Sequence, residues 1–164
     1  MMVTFNDHPE FKPDYTPKQM FNLGIFGGAY FRPIHSTITG KNYQNKHKEF
    51  KFLKGIPENK LCNSVFLDKE INKFKIHASL SLKYWEDKGW IKPQDPYGWV
   101  QWYCRFYSGR RSVDDSRQIK RFQRILTRFG EQKKTPRISQ ALLHWGIDAS
   151  KDHSNYINSI KMKK

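Results

Sequence analysis

The chain has 164 residues, of which 37% are hydrophobic and 15% aromatic, and its 30 Lys and Arg against 15 Asp and Glu give a formal net charge of +15. This composition excludes a disordered tail and predicts a single globular domain over residues 1–150, followed by a polar, lysine-ended tail or short helix over 151–164. So large a positive charge exceeds what solubility needs. It predicts a polyanionic partner, of which nucleic acid, DNA or RNA, is the commonest.

The sequence gives no sign of a membrane segment. It contains no run of about 18 apolar residues, and no charged segment followed by an apolar stretch opens the chain. We therefore expect no membrane partner and a cytoplasmic or nuclear protein that is not secreted. Cys62 and Cys104 lack close partners, which predicts free thiols in a reducing compartment.

The first half of the chain predicts one short helix and a long loop. Thr16 as N-cap and proline at the first helical position indicate a helix over residues 17–23. Residues 24–43, GIFGGAYFRPIHSTITGKNY, contain glycines, a proline and hydroxyl side chains and predict an ordered loop. The lysine-rich segment that follows allows short strands at 64–67 and 74–77.

The glycine-rich loop is a candidate anion-binding site. Its backbone N–H groups, together with the side chains of Arg32, Ser36, Thr39 and Lys41, offer donors that a phosphate could accept. The loop lacks the glycine and hydroxyl spacing of a nucleotide-binding P-loop. A connector anchored in the core by its aromatic residues is the alternative.

Two helices are predicted next. The first covers residues 80–88 and stops at Gly89, which suits a left-handed C-terminal cap. The second lies in DPYGWVQWYCRFYSGRR, residues 95–111, with Asp95 as N-cap, proline at its first position and Gly109 at its end. One face of this helix is aromatic and predicted to be buried: Trp99, Trp102, Tyr103 and Phe106.

Three residues of the same helix fall off its aromatic face. Tyr97, Arg105 and Tyr107 are therefore expected to remain exposed, and they are candidates for contacts with nucleic acid, with the tyrosines stacking on bases.

The arginines are concentrated in the second half of the chain, where eight of nine lie between Arg105 and Arg137. A helix beginning near Ser112, with Asp114 and Asp115 in a capping arrangement, carries an apolar stripe of Ile119, Phe122, Leu126 and Phe129. On nearly the opposite face four arginines cluster within roughly 60° of one another: Arg117, Arg121, Arg124 and Arg128. No glutamate interrupts this line, which favours phosphate contact over plain exposure, and Arg110 and Arg111 extend the patch.

A last helix is predicted over residues 135–146. Its buried face comprises Ile138, Ala141, Leu142 and Trp145. The predicted fold class is mainly α, a compact single domain of about five helices with an ordered glycine-rich loop and room for a small β element. Its predicted core comprises Trp85, Trp90, Trp99, Trp102, Phe106, Phe122 and Trp145.

Three blocks of the chain resemble an uncharacterised family of small basic proteins associated with fungi, algae and large DNA viruses or phages. They are GIFGGAYFRPIHSTITGKNY, LKYWEDKGWIKPQDPYGWVQWYCRFYSGRRSVDDSRQIKRF and ISQALLHWG. The resemblance covers most of the chain and implies a grouping without an established activity. It also implies a host-cell interior if the protein is viral. Members of that family have a longer basic segment before Leu-His-Trp-Gly, where this chain has only GEQKKTPRISQ.

Signals for catalysis are weak. The histidines and cysteines show no metal-ligand spacing, so neither a metal nor a cofactor is predicted. An enzyme that modifies or cleaves nucleic acid is the first alternative. It would bring Asp114, Asp115 and His144, as acid and base groups or ligands of a divalent ion, to one cleft with Arg32 and His35 of the loop. Capping by the carboxylates and packing of His144 explain the same residues without catalysis.

The sequence therefore favours a nucleic-acid-binding protein whose arginine-rich helix contacts phosphates. Apart from the enzyme, a viral structural or host-targeting protein that binds an acidic protein partner is the second alternative, because it would use the same basic face. The sequence leaves open DNA or RNA, single or double strand, and the oligomeric state.

Overall fold

The computed structural model describes residues 2–63 and 67–163, and this part of the chain forms six α-helices and one two-stranded antiparallel sheet. The helices are α1 (Pro17–Leu23), α2 (Leu82–Asp87), α3 (Trp99–Tyr107), α4 (Asp115–Phe129), α5 (Pro136–Leu143) and α6 (Ser154–Met162). The strands are β1 (Ile34–His35) and β2 (Asn42–Tyr43). The predicted mainly helical fold class is confirmed.

The helix starts follow local capping chemistry. The Thr16 hydroxyl accepts a hydrogen bond from the Gln19 backbone N–H, and the Gln19 side chain accepts one from the Thr16 N–H, which completes a capping box for α1. Thr135 caps α5 in the same way by accepting from the Ile138 N–H. Both predicted caps are confirmed.

Helix α3 begins later than its sequence predicts. Asp95 is not its N-cap: the first helical residue is Trp99, and Gly98 precedes it with a φ of +100°. The Asp95 carboxylate instead accepts hydrogen bonds from Arg105 and Arg110. The carboxylate that was predicted to cap the backbone N–H groups of α3 therefore binds two guanidinium groups.

The glycine-rich loop contains the sheet, in which Ile34 pairs with Tyr43. Gly28 is required there, because a Cβ on it would lie 1.8 Å from the Asn59 carbonyl oxygen and its φ is +75°. The strand predicted at 74–77 is wrong: these residues form turns and irregular backbone. Of the strand predicted at 64–67, residues 64–66 lie outside the described residues.

The core forms around Phe11 and the aromatic face of α3. The Phe11 ring lies 5.0–6.2 Å, between centroids, from five aromatic rings of α3 and α4: Trp99, Trp102, Tyr103, Phe106 and Phe122. All five are buried, as are Ile119 and Leu126 of α4. Edge-to-face aromatic contacts of this kind add stability beyond the area they bury. The predicted buried face of α3 is confirmed.

The C-terminal residues are part of the packed structure. Residues 154–162, which the sequence left as tail or short helix, form α6, and its Tyr156 and Ile157 are buried. The Tyr156 hydroxyl accepts from the Lys12 N–H and donates to the Glu10 carbonyl. His153, just before the helix, lies with its Nε2 atom 2.7 Å from the buried Asp14 carboxylate. The N-terminal segment is thereby held against α6.

Candidate functional site

Seven arginines lie between residues 105 and 128, and four of them are bound to carboxylates. We call these four the paired arginines: Arg105, Arg110, Arg111 and Arg117. The other three, which we call the cavity arginines, have no carboxylate within ion-pair distance in residues 2–63 and 67–163: Arg121, Arg124 and Arg128. The predicted patch therefore consists of two groups with different surroundings.

Two of the paired arginines, Arg105 and Arg110, share Asp95, whose side chain is only 1% exposed. Arg110 binds both oxygens of this carboxylate, at 2.8 and 2.7 Å. Arg105 reaches the same carboxylate at 3.0 Å and binds Glu49 with two hydrogen bonds of 2.8 Å. The hydrogen bond from Arg105 lowers the pKa of Glu49, and that bond in turn raises the pKa of Arg105. Together these four groups form one ion-pair network.

Arg111 and Arg117 have bidentate partners of their own. Arg111 binds Asp7 at 2.6 and 3.2 Å, and its guanidinium lies 3.7 Å from the centroid of the Phe106 ring. Arg117 binds Asp114, one turn earlier, at 2.6 and 2.9 Å. Such charge-assisted pairs fix both partners and leave the guanidinium with fewer free donors. Arg105 and Arg111 therefore hold distant segments of the fold together, whereas the Arg117 pair is local to the start of α4.

Two residues expected to be exposed are not. Tyr97 is only 2% exposed, its hydroxyl donates to the Arg32 carbonyl at 2.6 Å, and burial raises its pKa to about 12. Arg105 is enclosed by its ion pairs, with 18% of its side chain exposed. Tyr107 is exposed as predicted, and its ring contacts Phe52 edge-on. Neither Tyr97 nor Arg105 is placed to stack on or contact a nucleic acid.

The cavity arginines lie on α4 beside an aromatic cavity of about 470 Å³. The cavity is bounded by α4, the end of α5, the start of α3, segment 78–91 and the glycine-rich loop. Its lining includes the cavity arginines and His144, and it contains no Asp or Glu among the residues described. A cavity with positive charge and no acidic group favours an anionic ligand.

Arg121 is held between the cavity and two tryptophans. Its guanidinium lies 5.6 Å from the centroid of the Trp90 ring and 5.2 Å from that of Trp145, and it donates to the Gln118 side chain at 2.8 Å. Burial, followed by the like charge of Arg117, lowers the pKa of Arg121 to about 10, so it is still charged at neutral pH. These indole rings cover Arg121 in part, so it is less exposed than Arg124 and Arg128, with which it lines the cavity.

Three tryptophans that the sequence assigned to the core are only partly buried and line the cavity: Trp85, Trp90 and Trp145. Trp99 is buried and also contributes to the wall, whereas Trp102 lies in the core. The pattern along the sequence does not separate these positions, because an aromatic residue on an apolar helix face is equally consistent with a core and with a cavity wall. The assignment of Trp85, Trp90 and Trp145 to the core is corrected.

His144 is the one catalytic candidate among the cavity residues. Its side chain is 4% exposed and stacks on Phe26, with ring centroids 4.0 Å apart and planes at 20°. Neither ring nitrogen has a hydrogen-bond partner in the part of the chain that the structure describes. Burial lowers the pKa of His144 to about 3, so the imidazole is neutral at pH 7, with one donor and one acceptor nitrogen.

The other catalytic candidates do not line this cavity. Asp114 is bound to Arg117, and Asp115 accepts from the Trp102 indole N–H at 2.8 Å and from Ser112. His35 is exposed, with its Nδ1 atom 2.7 Å from the Asn42 side-chain oxygen. The enzyme alternative requires these groups to face His144 across one cleft. None of the three lines this cavity or the smaller one beside it.

The glycine-rich loop satisfies many of its polar groups internally. The Ser36 hydroxyl accepts from the Thr39 N–H, and the Thr39 hydroxyl accepts from the Lys41 N–H. The Thr37 N–H and hydroxyl both donate to the buried Glu86 carboxylate of α2. Arg32 donates to a backbone carbonyl and lines a second cavity of about 250 Å³ beside the first. The anion-binding role of this loop stays a prediction.

No set of three or more His, Cys, Asp or Glu side chains within 2–63 and 67–163 is arranged to hold a metal ion. No described helix is both long and apolar enough to cross a membrane. Comparison with protein-family models, curated proteins and solved structures gives no match to the chain. The resemblance to a family of small basic proteins therefore stays a prediction.

Proposed function

We propose that the protein binds nucleic acid and that the cavity arginines, Arg121, Arg124 and Arg128, contact its phosphates. The observation that carries this proposal is the division of the arginines: four of the seven between residues 105 and 128 have carboxylate partners, and the cavity arginines have none within residues 2–63 and 67–163. A guanidinium without a carboxylate keeps its planar set of donors available, and a phosphate accepts them in the same bidentate geometry.

The spacing of the cavity arginines suits a phosphate backbone. Arg121 and Arg128 are seven residues apart on one helix, which corresponds to about 10 Å along its axis at about 1.5 Å per residue. One strand of B-form DNA places a phosphate about every 3.4 Å along the axis, so about three phosphates fall within that span. The net charge of +15 adds long-range attraction to any polyanion.

Nucleic acid explains more of the site than an acidic protein does. Both partners would satisfy the positive charge, but the aromatic wall beside the cavity arginines has a specific use only for a ligand that carries flat rings next to its anionic groups. Nucleic acids have this combination along their whole length, and proteins that bind single strands combine basic grooves with aromatic platforms.

The test is a salt titration of the double variant Arg124→Gln/Arg128→Gln. Both residues are exposed, so we expect the variant to fold normally. For a single-stranded ligand, the slope of log K against log salt should become less negative by about 1.4, since each lost phosphate contact contributes about 0.7. Affinity is measured by fluorescence anisotropy of labelled DNA and RNA at several salt concentrations.

The matched control is Lys18→Gln/Lys54→Gln, which removes the same charge from two exposed lysines that do not line the cavity. We expect the control to keep the parent slope to within about 0.5. Equal slopes for the two double variants would contradict phosphate contact by the cavity arginines. Binding that vanishes at physiological salt while an acidic protein remains bound would favour the protein-partner alternative.

A further inference from the structure

The cavity is built from flat aromatic surfaces over much of its wall. Trp85 stands edge-on to Phe26, with ring centroids 5.7 Å apart and planes at 80°, and Trp145 lies 4.8 Å from Trp99. Phe129 of α4 adds a further ring. At about 470 Å³ the cavity lies within the range of roughly 300–1,000 Å³ that is typical of small-molecule sites. Its surface is suited to a planar aromatic group.

His144 adds a polar group to this apolar surface. It is buried and lines the cavity, and both of its ring nitrogens lack a partner among the described residues. A buried polar group without a partner destabilises a fold, by about 1–3 kcal/mol, so such groups are rare unless a ligand completes them. A neutral imidazole presents a donor and an acceptor on one rigid ring. Its complement is a ligand whose edge also carries acceptors and donors.

The positive charge is arranged around the same cavity. Arg124 and Arg128 are exposed, whereas Arg121 is half-buried against Trp90 and Trp145. The cavity therefore combines exposed cations with an interior of aromatic rings and one neutral polar side chain. A ligand that matches this arrangement has an anionic group outside and a flat, edge-polar ring inside. A nucleotide has that form.

We infer that the cavity binds one unpaired base of a single strand, with the ring against the tryptophans, the edge hydrogen-bonded to His144 and the adjoining phosphate at Arg124 and Arg128. This inference rests on the proposed function, because the phosphate contacts are the same. A base in a duplex has its faces stacked and its pairing edge occupied, so it can enter the cavity only after it has left the helix. The site therefore prefers single strands.

The inference can be tested with the chain's own tryptophans. Four of the five line the cavity, so an inserted base should quench intrinsic fluorescence. The probes are a short single-stranded oligonucleotide, the matching duplex and the corresponding mononucleotide. We expect saturable quenching by the single strand, with an affinity at least tenfold above that for the duplex under the same salt conditions. An oligonucleotide carrying one 2-aminopurine reports the stacking of the base itself.

Two variants alter the cavity without changing its charge at neutral pH. Ala141→Trp fills part of it, and because stacking contributes about 1–3 kcal/mol per base, single-strand affinity should fall about tenfold or more. His144→Phe keeps a ring against Phe26 but removes both nitrogens, and it should weaken single-strand binding about five- to tenfold. Duplex affinity should change less than about twofold in both. Asn155→Trp, on the exposed side of α6, controls for an added indole ring.

The outcomes separate the two proposals. If single strand and duplex bind equally well and both cavity variants behave like the parent, the base-binding inference is wrong while phosphate binding stands. If no oligonucleotide binds, or if Arg124→Gln/Arg128→Gln binds with the same salt dependence as the parent, the proposed function itself has failed. Affinity that rises with strand length identifies a strand as the ligand, whereas a mononucleotide that binds as tightly as the oligonucleotide identifies a free nucleotide. Circular dichroism of each variant shows whether it is folded. If Ala141→Trp does not fold, the affinity of His144→Phe tests the inference instead.

Discussion

The paired arginines and the cavity arginines are neighbours in sequence but have opposite surroundings. Arg110 and Arg117 each bind a carboxylate that is 9% exposed or less, so their charge is compensated inside the fold. Arg121 is also partly buried, yet its closest contacts are indole rings and the Gln118 side chain. The same residue type therefore occurs in two surroundings: Arg110 and Arg117 are bound to carboxylates, whereas Arg121 contacts aromatic rings and a neutral amide.

The two regions also differ in some of their other hydrogen bonds. On the paired side, Asp115 accepts from the Trp102 indole and from Ser112, and Gln94 donates to Asp95. On the cavity side, His144 is buried with neither nitrogen bonded within the described part of the chain. Arg110 Nε also lacks a partner among the described residues, but His144 is the residue whose unbonded buried nitrogens border the cavity, where a ligand could complete them.

The largest expected effect is on the paired side. Asp95→Asn removes the charge that Arg105 and Arg110 share and leaves two partly buried guanidinium groups without it. Loss of one partner from a buried ion pair costs about 3–5 kcal/mol, so we expect the free energy of unfolding to fall by about that amount. Urea denaturation followed by circular dichroism measures it.

Its control is Asp87→Asn, which breaks the exposed i,i+4 pair with Lys83 and should cost less than about 0.5 kcal/mol. If Asp95→Asn lowered the free energy of unfolding by as little as this control, the ion pairs of Arg105 and Arg110 would not stabilise the fold as their geometry implies. A loss of nucleic-acid binding by folded Asp95→Asn would remove the distinction between the two regions.

The second effect concerns His144 and pH. Its pKa is about 3 in the folded protein and about 6.5 in the unfolded chain, so below pH 6.5 the unfolded chain takes up a proton that the folded protein does not. Stability from this group is thus complete above pH 6.5 and is lost as the pH falls towards 3, by about 1.4 kcal/mol per pH unit.

The measurement is the free energy of unfolding of the parent and of His144→Phe between pH 7 and pH 4. The difference between the two curves should grow by about 1.4 kcal/mol for each unit of acidification, because His144→Phe has no proton to take up. His77→Gln, which removes an exposed histidine, is the control. Parallel curves would show that His144 is not held in an environment that excludes its charged form.

The smallest effect is expected at Tyr107, the exposed ring that the sequence offers for base stacking. It lies on the paired side, next to Arg105 and edge-on to Phe52. If bases enter the cavity, Tyr107→Ala should reduce single-strand affinity less than about twofold, against about tenfold or more for Ala141→Trp. A larger loss, measured by the same fluorescence titration, would reveal a second stacking site near the paired arginines. It would contradict the assignment of base binding to the cavity alone.

Much of the fold could be predicted from local chemistry. Thr16 and Thr135 mark the starts of α1 and α5 because a hydroxyl before a proline and a helical run has few other uses. The apolar spacing of α4 predicts its buried residues, among them Phe122 and Leu126. The start of α3 could not be placed in this way, because Asp95 is equally able to cap a helix and to bind arginine.

The candidate site was only partly predictable. The sequence shows that Arg121, Arg124 and Arg128 share a helix, but nothing in its periodicity shows that Trp90 and Trp145 cover the first of them. The sequence offered His144 only as a weak catalytic candidate, because a histidine beside a tryptophan is more often packed than catalytic. Its lack of a hydrogen-bond partner could be seen only in the structure.

The sequence by itself determined the helices, the aromatic core face and the concentration of arginine on α4, because these depend on contacts three or four residues apart. Only the tertiary structure decided which arginines are neutralised. Two of the partners lie in distant segments: Glu49 is 56 residues from Arg105, and Asp7 is 104 residues from Arg111. Charge along the chain is fixed by composition, but whether a charge is free to bind a ligand depends on what the fold brings beside it.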